Sequence, residues 1–293
     1  MSKFPVFTFD AGTRRRRRTA GGLLTMTNYN IRALVDRTKG TRILLDPPHP
    51  SWSSEIAYLR ALRAMLRGML AYVGDNILPA YARTALRLDA GLTVDVEEGE
   101  WSGFEEATAR LVAVAETTVS TIIALEAVRY DKEFMSIAKK ALGIDLTAVV
   151  REEDLGGYLD LASQRNANLI KGLADDTYKK IKDRTLSAVM SGTPAKEYRA
   201  QLAKEFGLSD NRAKLIARDQ IGKLNSDLTK IRQQQAGIDR YVWRTAQDER
   251  VRQLHQALQG NEYAYGKATG AEGGLPPGQP IQCRCYAQGV IVF

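Results

Sequence analysis

The chain changes character in the stretch GIDRYVWRTAQDERVRQLHQAL, residues 237–258. Gly237 ends a long region of helical periodicity, and the aromatic and β-branched residues 241–245 that follow are typical of a strand. Residues 251–258 have the spacing of one or two helical turns, and residues 286–293 predict a closing strand. The sequence therefore predicts a small α+β module over residues 238–293.

Upstream of Gly237, apolar residues recur at three- and four-residue spacing, which predicts long helices. One apolar stripe runs from Ile56 to Val73, and Pro79 should kink or end that helix. We expect this stripe to be available for packing against partner subunits. The arginines beside it are either a solvated helix face or a surface that touches DNA. They are Arg60, Arg63 and Arg67.

Glycine, proline and serine residues divide the next helical region. Gly192-Thr193-Pro194 predicts the end of one helix and the start of another, with Thr193 as the N-cap and Pro194 as the first helical residue. Gly207 predicts the end of a short helix, and Ser209 predicts the N-cap of a long one.

The predicted fold is mostly α, with elongated helical N-terminal and middle regions and a small α+β C-terminal module. The predicted divisions are an extended basic arm and linker over 1–50, a helical N-terminal domain over 51–157, a second helical region over 158–237, and the module over 238–293.

Charge is concentrated at the N-terminus. The net charge is +8, and residues 1–42 contain ten Lys or Arg against two acidic residues, so the remaining residues carry 32 charges of each sign. A basic arm on a neutral body favours a polyanion, because each neutralised phosphate releases counterions. The alternative is a solvated tail with incidental charge. The predicted DNA-binding residues are Arg14, Arg15, Arg16, Arg17 and Arg18.

The composition is that of an ordinary soluble protein. No uninterrupted apolar run reaches the roughly 18 residues that span a bilayer, and the arginine run replaces the apolar stretch of a signal peptide. We therefore expect no membrane partner. The two cysteines, Cys283 and Cys285, are too few and too close together for a disulfide framework, which indicates a reducing compartment such as cytoplasm.

The stretch Trp243 to Gly260 contains a tryptophan and a threonine, then Asp248, an Arg-Val-Arg triplet, His255 and Leu-x-Gly. A Gly/Pro-rich loop follows and leads to Cys283-Arg284-Cys285. This ordered pattern resembles the Mu F-like phage head-morphogenesis family. The helix preceding the module is also similar to the family, in the stretches 202–208 and 212–218 and at Asn225.

The resemblance covers about residues 160–293, whereas residues 1–150 resemble no family that we can name. Two positions depart from the family pattern. Its Arg-Thr-Glu is here Arg218-Asp219-Gln220, which leaves the role of that acidic position in doubt although Asp219 keeps a carboxylate nearby. The aspartate that often precedes the last glycine is Gln259.

The resemblance implies a low-copy minor head protein of a tailed phage, which is a structural component and not an enzyme. It implies a place in the virion, inside the head near the portal, and a role in head morphogenesis and in genome packaging or ejection. The implied partners are the portal protein, other head proteins and, through the basic arm, double-stranded phage DNA; the protein can also form a homo-oligomer. Assembly would take place in host cytoplasm.

The chemistry-bearing residues are His255, Cys283 and Cys285, which are suitable ligands for a structural zinc ion, with Asp248 as a candidate fourth ligand. The alternative is that both thiols are small buried apolar groups and His255 hydrogen-bonds the loop. The competing enzymatic hypothesis is a DNA-processing or toxin-like hydrolase that uses His255, Asp248 and Cys285. A free DNA-binding regulator is disfavoured because no helix-turn-helix pattern with a basic recognition helix is present.

Overall fold

The computed structural model describes residues 28–89 and 98–293. The α-helices in these ranges are α1 Trp52–Tyr72, α2 Leu78–Asp89, α3 Glu98–Leu142, α4 Gly156–Ser191, α5 Ala195–Gln235 and α6 Gln253–Ala257. The strands are β1 Arg42–Leu45, β2 Arg240–Arg244, β3 Glu262–Ala264 and β4 Tyr286–Val292. The predicted fold class, mostly α with a small C-terminal α+β module, is confirmed. Arg14 to Arg18 lie outside the described residues.

The four strands form one antiparallel sheet in the order β1-β4-β2-β3. Its central strand β4 pairs with β2 on one side and with β1 on the other, where Leu45 lies opposite Gly289. The range 1–50, which the sequence assigns to an arm and linker, thus supplies a strand to the C-terminal sheet. The remaining domain boundaries stay predictions.

Helices α1, α3, α4 and α5 pack against one another around a continuous apolar core. Two glycines allow the close approach of α1 and α3. A Cβ atom on Gly68 of α1 would lie 2.6 Å from Leu111 Cδ2 of α3, and a Cβ on Gly103 of α3 would meet the Tyr72 hydroxyl of α1. Because the contact is glycine against a large side chain at both places, the two backbones lie closer than two ordinary residues would allow.

Most of the apolar stripe from Ile56 to Val73 points into this core, so it is covered within the chain instead of being open to partner subunits, whereas Leu70 is 41% exposed. Its buried members are Tyr58, Ala61, Leu62, Met65, Leu66, Met69 and Val73. The reason is that α3 and α5 of the same chain cover it. Of the arginines beside the stripe, Arg63 binds Asp210 of α5 with Nε–Oδ1 at 2.6 Å, while Arg60 and Arg67 are exposed.

The interruption predicted at Pro79 takes the form of a π-helical segment, Val73–Ile77, between α1 and α2. At the other predicted break, α4 ends in Gly192, which has φ 64° and a left-handed conformation. Pro194 is the N-cap of α5 rather than its first helical residue, so the assignment of Thr193 as the cap is wrong by one position.

The predicted break at Gly207 and Ser209 is absent, since α5 continues through both residues. Ser209 is 3% exposed, and its Oγ lies 2.9 Å from Thr177 Oγ1 of α4. The hydroxyl therefore makes a contact between helices instead of capping one. Tertiary packing at this crossing outweighs the local preference of serine for an N-cap.

The sequence analysis predicts no apolar run long enough to span a bilayer, and helix α3 differs from this prediction. Within the described residues, the helix Gly99–Leu142 is long and apolar enough to cross a membrane by length and composition alone. The core helix of a folded protein passes the same test, although only 28% of the apolar window is buried here. Two observations favour a helix of the core. It packs against α1 and α4, and its buried Glu126 accepts hydrogen bonds from Ser54, Arg129 and Asn225. That the protein has no membrane partner stays a prediction.

Candidate metal centre

Three of the residues singled out by the sequence lie together in the C-terminal module. His255 is on the short helix α6, and Cys283 and Cys285 immediately precede β4. The His255 Nδ1 atom is 3.5 Å from Cys283 Sγ and 3.6 Å from Cys285 Sγ. The three ligand atoms all lie within 4.8 Å of one another, and neither cysteine is in a disulfide. We call these three side chains the Cys2His cluster.

The loop that carries the cysteines is held in a tight, defined conformation. Gln282 adopts a positive φ of 57°, and its backbone N–H donates to Asp219 Oδ1 of α5 at 2.7 Å. The Gln282 side chain donates to Leu215 O at 2.7 Å. Asp219 also forms an ion pair with Lys223 at 2.6 Å. The carboxylate at the position where the chain departs from the family pattern therefore anchors the cysteine loop to the long helix.

The other ring nitrogen of His255 is bound to a residue that the sequence analysis missed. Nε2 lies 2.7 Å from Glu272 Oε2, in the Gly/Pro-rich loop, and Arg252 approaches the second oxygen of Glu272 at 3.4 Å. The hydrogen bond from His255 is the main cause that lowers the pKa of Glu272. When the imidazole is neutral with its proton on Nε2, an ionised Glu272 accepts that proton and the Nδ1 lone pair faces the two sulfur atoms.

Two of the three side chains of the cluster are buried, and Cys283 is partly exposed. His255 and Cys285 are 2% and 6% exposed, and the fully buried Trp243 ring packs edge-on against His255 at a centroid distance of 5.4 Å. The Trp243 indole N–H has no hydrogen-bond partner among the described residues.

The two thiols influence each other's protonation. The Cys285 thiol donates toward Cys283, and this contact, helped by the backbone N–H groups of Cys285 and Gly278, lowers the pKa of Cys283 against the effect of burial. The same contact, together with burial, raises the pKa of Cys285. The pair therefore favours one thiolate at Cys283 beside one thiol at Cys285.

Asp248 does not join the Cys2His cluster. Its carboxylate forms an ion pair with Arg284 and accepts the Arg250 backbone N–H at 3.1 Å. The His255, Asp248 and Cys285 set of the hydrolase hypothesis is therefore not assembled, because Glu272 occupies the orienting position beside His255 that this set would give to Asp248.

The cluster opens on a cavity of about 200 Å³. Arginine side chains dominate the polar part of its wall, namely Arg218, Arg250, Arg252 and Arg284. Chemically, two thiol groups and an imidazole with a free lone pair, beside a small basic cavity, can coordinate a soft divalent metal. A cysteine nucleophile with a histidine base is the other chemistry open to the same side chains.

Comparison with known proteins identifies the C-terminal part of the chain. Residues 179–288 match the model of the family described as Phage Mu protein F like protein, which confirms the family that the sequence resemblance indicated. An uncharacterized protein of Haemophilus influenzae is 32% identical over 148 residues, which cover 50% of this chain and 33% of that relative. This chain thus spans about a third of the relative's length. No solved structure matches the chain.

Proposed function

We propose that this protein is a structural minor head protein of a tailed phage, which is incorporated inside the head near the portal vertex. In this role it supports head morphogenesis and the packaging or ejection of the genome. Its partners are the portal protein and other head proteins, and its basic arm contacts double-stranded DNA. Assembly takes place in the host cytoplasm, and the protein ends in the virion.

The observation that carries this proposal is the family match over residues 179–288. The match supports a role in phage head morphogenesis. It spans about the last third of α4, all of α5, α6, β2 and β3, and the first three residues of β4, so it covers a series of consecutive elements and not an isolated motif.

The pattern residues themselves have architectural roles, which favours a structural component over an enzyme. Trp243 is fully buried, and Asp248 pairs with Arg284. The backbone N–H of the pattern residue Thr245 donates at 2.7 Å to Oε1 of Gln259, where the chain departs from the family pattern. Asn225 donates to Ile221 O in its own helix at 3.0 Å and to the buried Glu126 of α3 at 2.9 Å. Apart from the Trp243 indole N–H, which has no partner among the described residues, the polar atoms named here make contacts that hold the fold.

The distribution of charge supports different roles for the arm, which contacts DNA, and the body, which contacts proteins. The body from residue 43 onward has equal numbers of acidic and basic residues, whereas residues 1–42 carry the whole net charge. Some charges of the body form ion pairs between its helices, such as Arg63 with Asp210 and Arg184 with Glu205. The basic arm is therefore the part of the chain suited to a polyanion, while the body is suited to protein contacts.

Gene deletion and complementation in a phage or prophage that carries this gene test the proposal. Deletion should reduce the yield of DNA-filled infectious particles, and the wild-type gene should restore it. The matched variant replaces Arg14 to Arg18 with serine, and it should restore head assembly but not full DNA packaging or delivery. An unchanged yield of DNA-filled, infectious particles after deletion would overturn the proposal.

A further inference from the structure

We propose that the Cys2His cluster binds one zinc ion through His255 Nδ1, Cys283 Sγ and Cys285 Sγ. The ion would join α6, the cysteine loop and the start of β4 at the centre of the module. This inference is independent of the proposed role in the phage head, because it rests on the geometry of the module alone.

The distances fit a tetrahedral zinc site. With Zn–S bonds of about 2.3 Å and a Zn–N bond of about 2.0–2.1 Å, tetrahedral angles separate the nitrogen from each sulfur by about 3.5–3.6 Å. In the structure these separations are 3.5 Å to Cys283 and 3.6 Å to Cys285. One ion therefore fits both nitrogen–sulfur distances, and the two sulfur atoms lie within 4.8 Å of each other.

The surroundings of His255 are those of a metal ligand. Glu272 accepts the Nε2 proton at 2.7 Å, which fixes both the tautomer and the plane of the ring. Such a carboxylate behind a ligating histidine is the usual outer partner of a zinc site and makes the imidazole a better ligand. A histidine that only filled space in the loop would not need its free nitrogen aimed at two sulfur atoms.

The surroundings of the sulfur atoms point the same way. The Cys285 backbone N–H donates to Cys283 Sγ at 3.5 Å. A backbone donor at a sulfur atom stabilises its thiolate, and zinc binds thiolates.

A cysteine–histidine catalytic pair accounts less well for the arrangement. Such a pair uses one accessible thiol against one base, whereas here two sulfur atoms are equally close to the same nitrogen. Cys285 is only 6% exposed. A metal ion uses both sulfur atoms and the nitrogen together, so it explains the presence of the second cysteine.

The fourth coordination position faces the arginine-lined cavity. Among the described residues, the cluster of metal-ligand side chains contains no fourth member, and Asp248 is bound to Arg284 instead. We assign this position to a solvent molecule, which the cavity of about 200 Å³ has room to hold.

Metal analysis of the full chain, purified without chelator and with a thiol reductant, tests the site. Wild-type protein should carry about one zinc per chain, and Cys283→Ser, Cys285→Ser and His255→Ala should each lose it. The chain contains only two histidines, so His49→Ala is the matched control and should retain the metal. Glu272→Gln should keep the ligands but bind zinc about 10- to 100-fold more weakly in competition with a chromophoric chelator.

Cobalt substitution keeps the test decisive if a ligand variant fails to fold. Reduced, metal-free wild-type protein should take up one Co²⁺ and develop thiolate-to-cobalt charge-transfer absorption with the strong visible bands of tetrahedral cobalt. Added azide should shift the visible bands because it replaces the solvent ligand. Folded wild-type protein that contains no zinc and shows no cobalt absorption would overturn the proposal, and bands insensitive to azide would overturn the assignment of the fourth position.

Discussion

Arg232 of α5 and Asp131 of α3 form a two-bond ion pair in the core, with Nε–Oδ1 at 2.7 Å and Nη2–Oδ2 at 2.5 Å. The Arg232 side chain is 0% exposed and also binds Gln235 Oε1 and Arg151 O. The pair connects a helix inside the family match to a helix outside it. The N-terminal helices are thereby joined to the part of the chain that matches the family through a buried polar contact as well as through apolar packing.

Asp131→Ala should lower the free energy of unfolding by about 3–5 kcal/mol, because it leaves a buried guanidinium without its carboxylate. Chemical denaturation followed by circular dichroism measures the change. The control is Glu106→Ala, which removes an exposed i,i+4 pair with Arg110 and should change stability by about 0.5 kcal/mol or less. Equal effects of the two variants would show that the buried pair contributes no more than a surface pair.

Asn225→Asp should destabilise the protein at neutral pH, because it places a second carboxylate against the buried Glu126. Two carboxylates at hydrogen-bond distance cannot both stay ionised, so the folded-state pKa of one of them is raised. A raised carboxyl pKa makes the destabilisation greatest above that pKa, so stability relative to wild type should recover as the pH falls from 7 toward 5. Thermal melting across this range measures the recovery.

The matched control for this variant is Asn211→Asp, at an exposed position of the same helix beside Lys214. It should show no loss at neutral pH. A loss in Asn225→Asp that does not depend on pH would mean that the Glu126 contact is not its cause.

Asp210 should contribute to the loss of stability in acid. Hydrogen bonds from Arg63, and then from Lys214, lower the pKa of Asp210 to about 2. Since an unfolded aspartate titrates near about 3.9, the stabilisation is present above that pH and is lost as the pH falls toward 2. Asp210→Asn should flatten the pH dependence of the unfolding free energy between about pH 4 and pH 2.

Denaturant titrations of wild type and Asp210→Asn at several pH values measure this difference. Asp183→Asn, at an exposed position on α4, is the control and should follow wild type through the same window. Parallel curves for wild type and Asp210→Asn would contradict the assignment.

The basic arm should bind duplex DNA without sequence preference. Five arginines that engage five phosphates give a slope of about −4 to −5 in log K against log salt, from about −0.9 per phosphate. Replacing Arg14 to Arg18 with serine should remove most of this slope, as measured by fluorescence anisotropy with a labelled duplex. A variant that is folded by circular dichroism and keeps the full slope would assign the binding to another surface.

The sequence predicted the helical body and three elements of the module, since the strands at 241–245 and 286–293 and the short helix near His255 have clear local patterns. The prediction of an N-cap at Ser209 is wrong. An N-cap preference is local, whereas the contact of Ser209 with Thr177 depends on how α4 crosses α5. The sequence did not predict β1, because residues 42–45 become a strand only by pairing with β4.

At the candidate site, residue type identified His255, Cys283 and Cys285, and the structure brings them together. Asp248 was proposed as a ligand because it is close to His255 in the sequence. In the structure its carboxylate pairs with Arg284 and is not part of the Cys2His cluster. Glu272 was missed because it lies in an irregular loop, where no periodicity indicates which residues face the histidine. A lone acidic residue among glycines, Gly270-Ala-Glu272-Gly-Gly, was the only available indication.

The pairing of β1 with β4 also determines how the central claim should be tested. Removing residues 238–293 would take away three of the four strands and the partner of β1, so a truncated chain would not isolate one function. The most direct measurement is quantitative mass spectrometry of purified proheads and mature heads that contain the full-length protein. A structural head component should be present in a fixed ratio to the portal protein, in a few to a few tens of copies per particle. Absence of the protein from both proheads and mature heads would contradict the account.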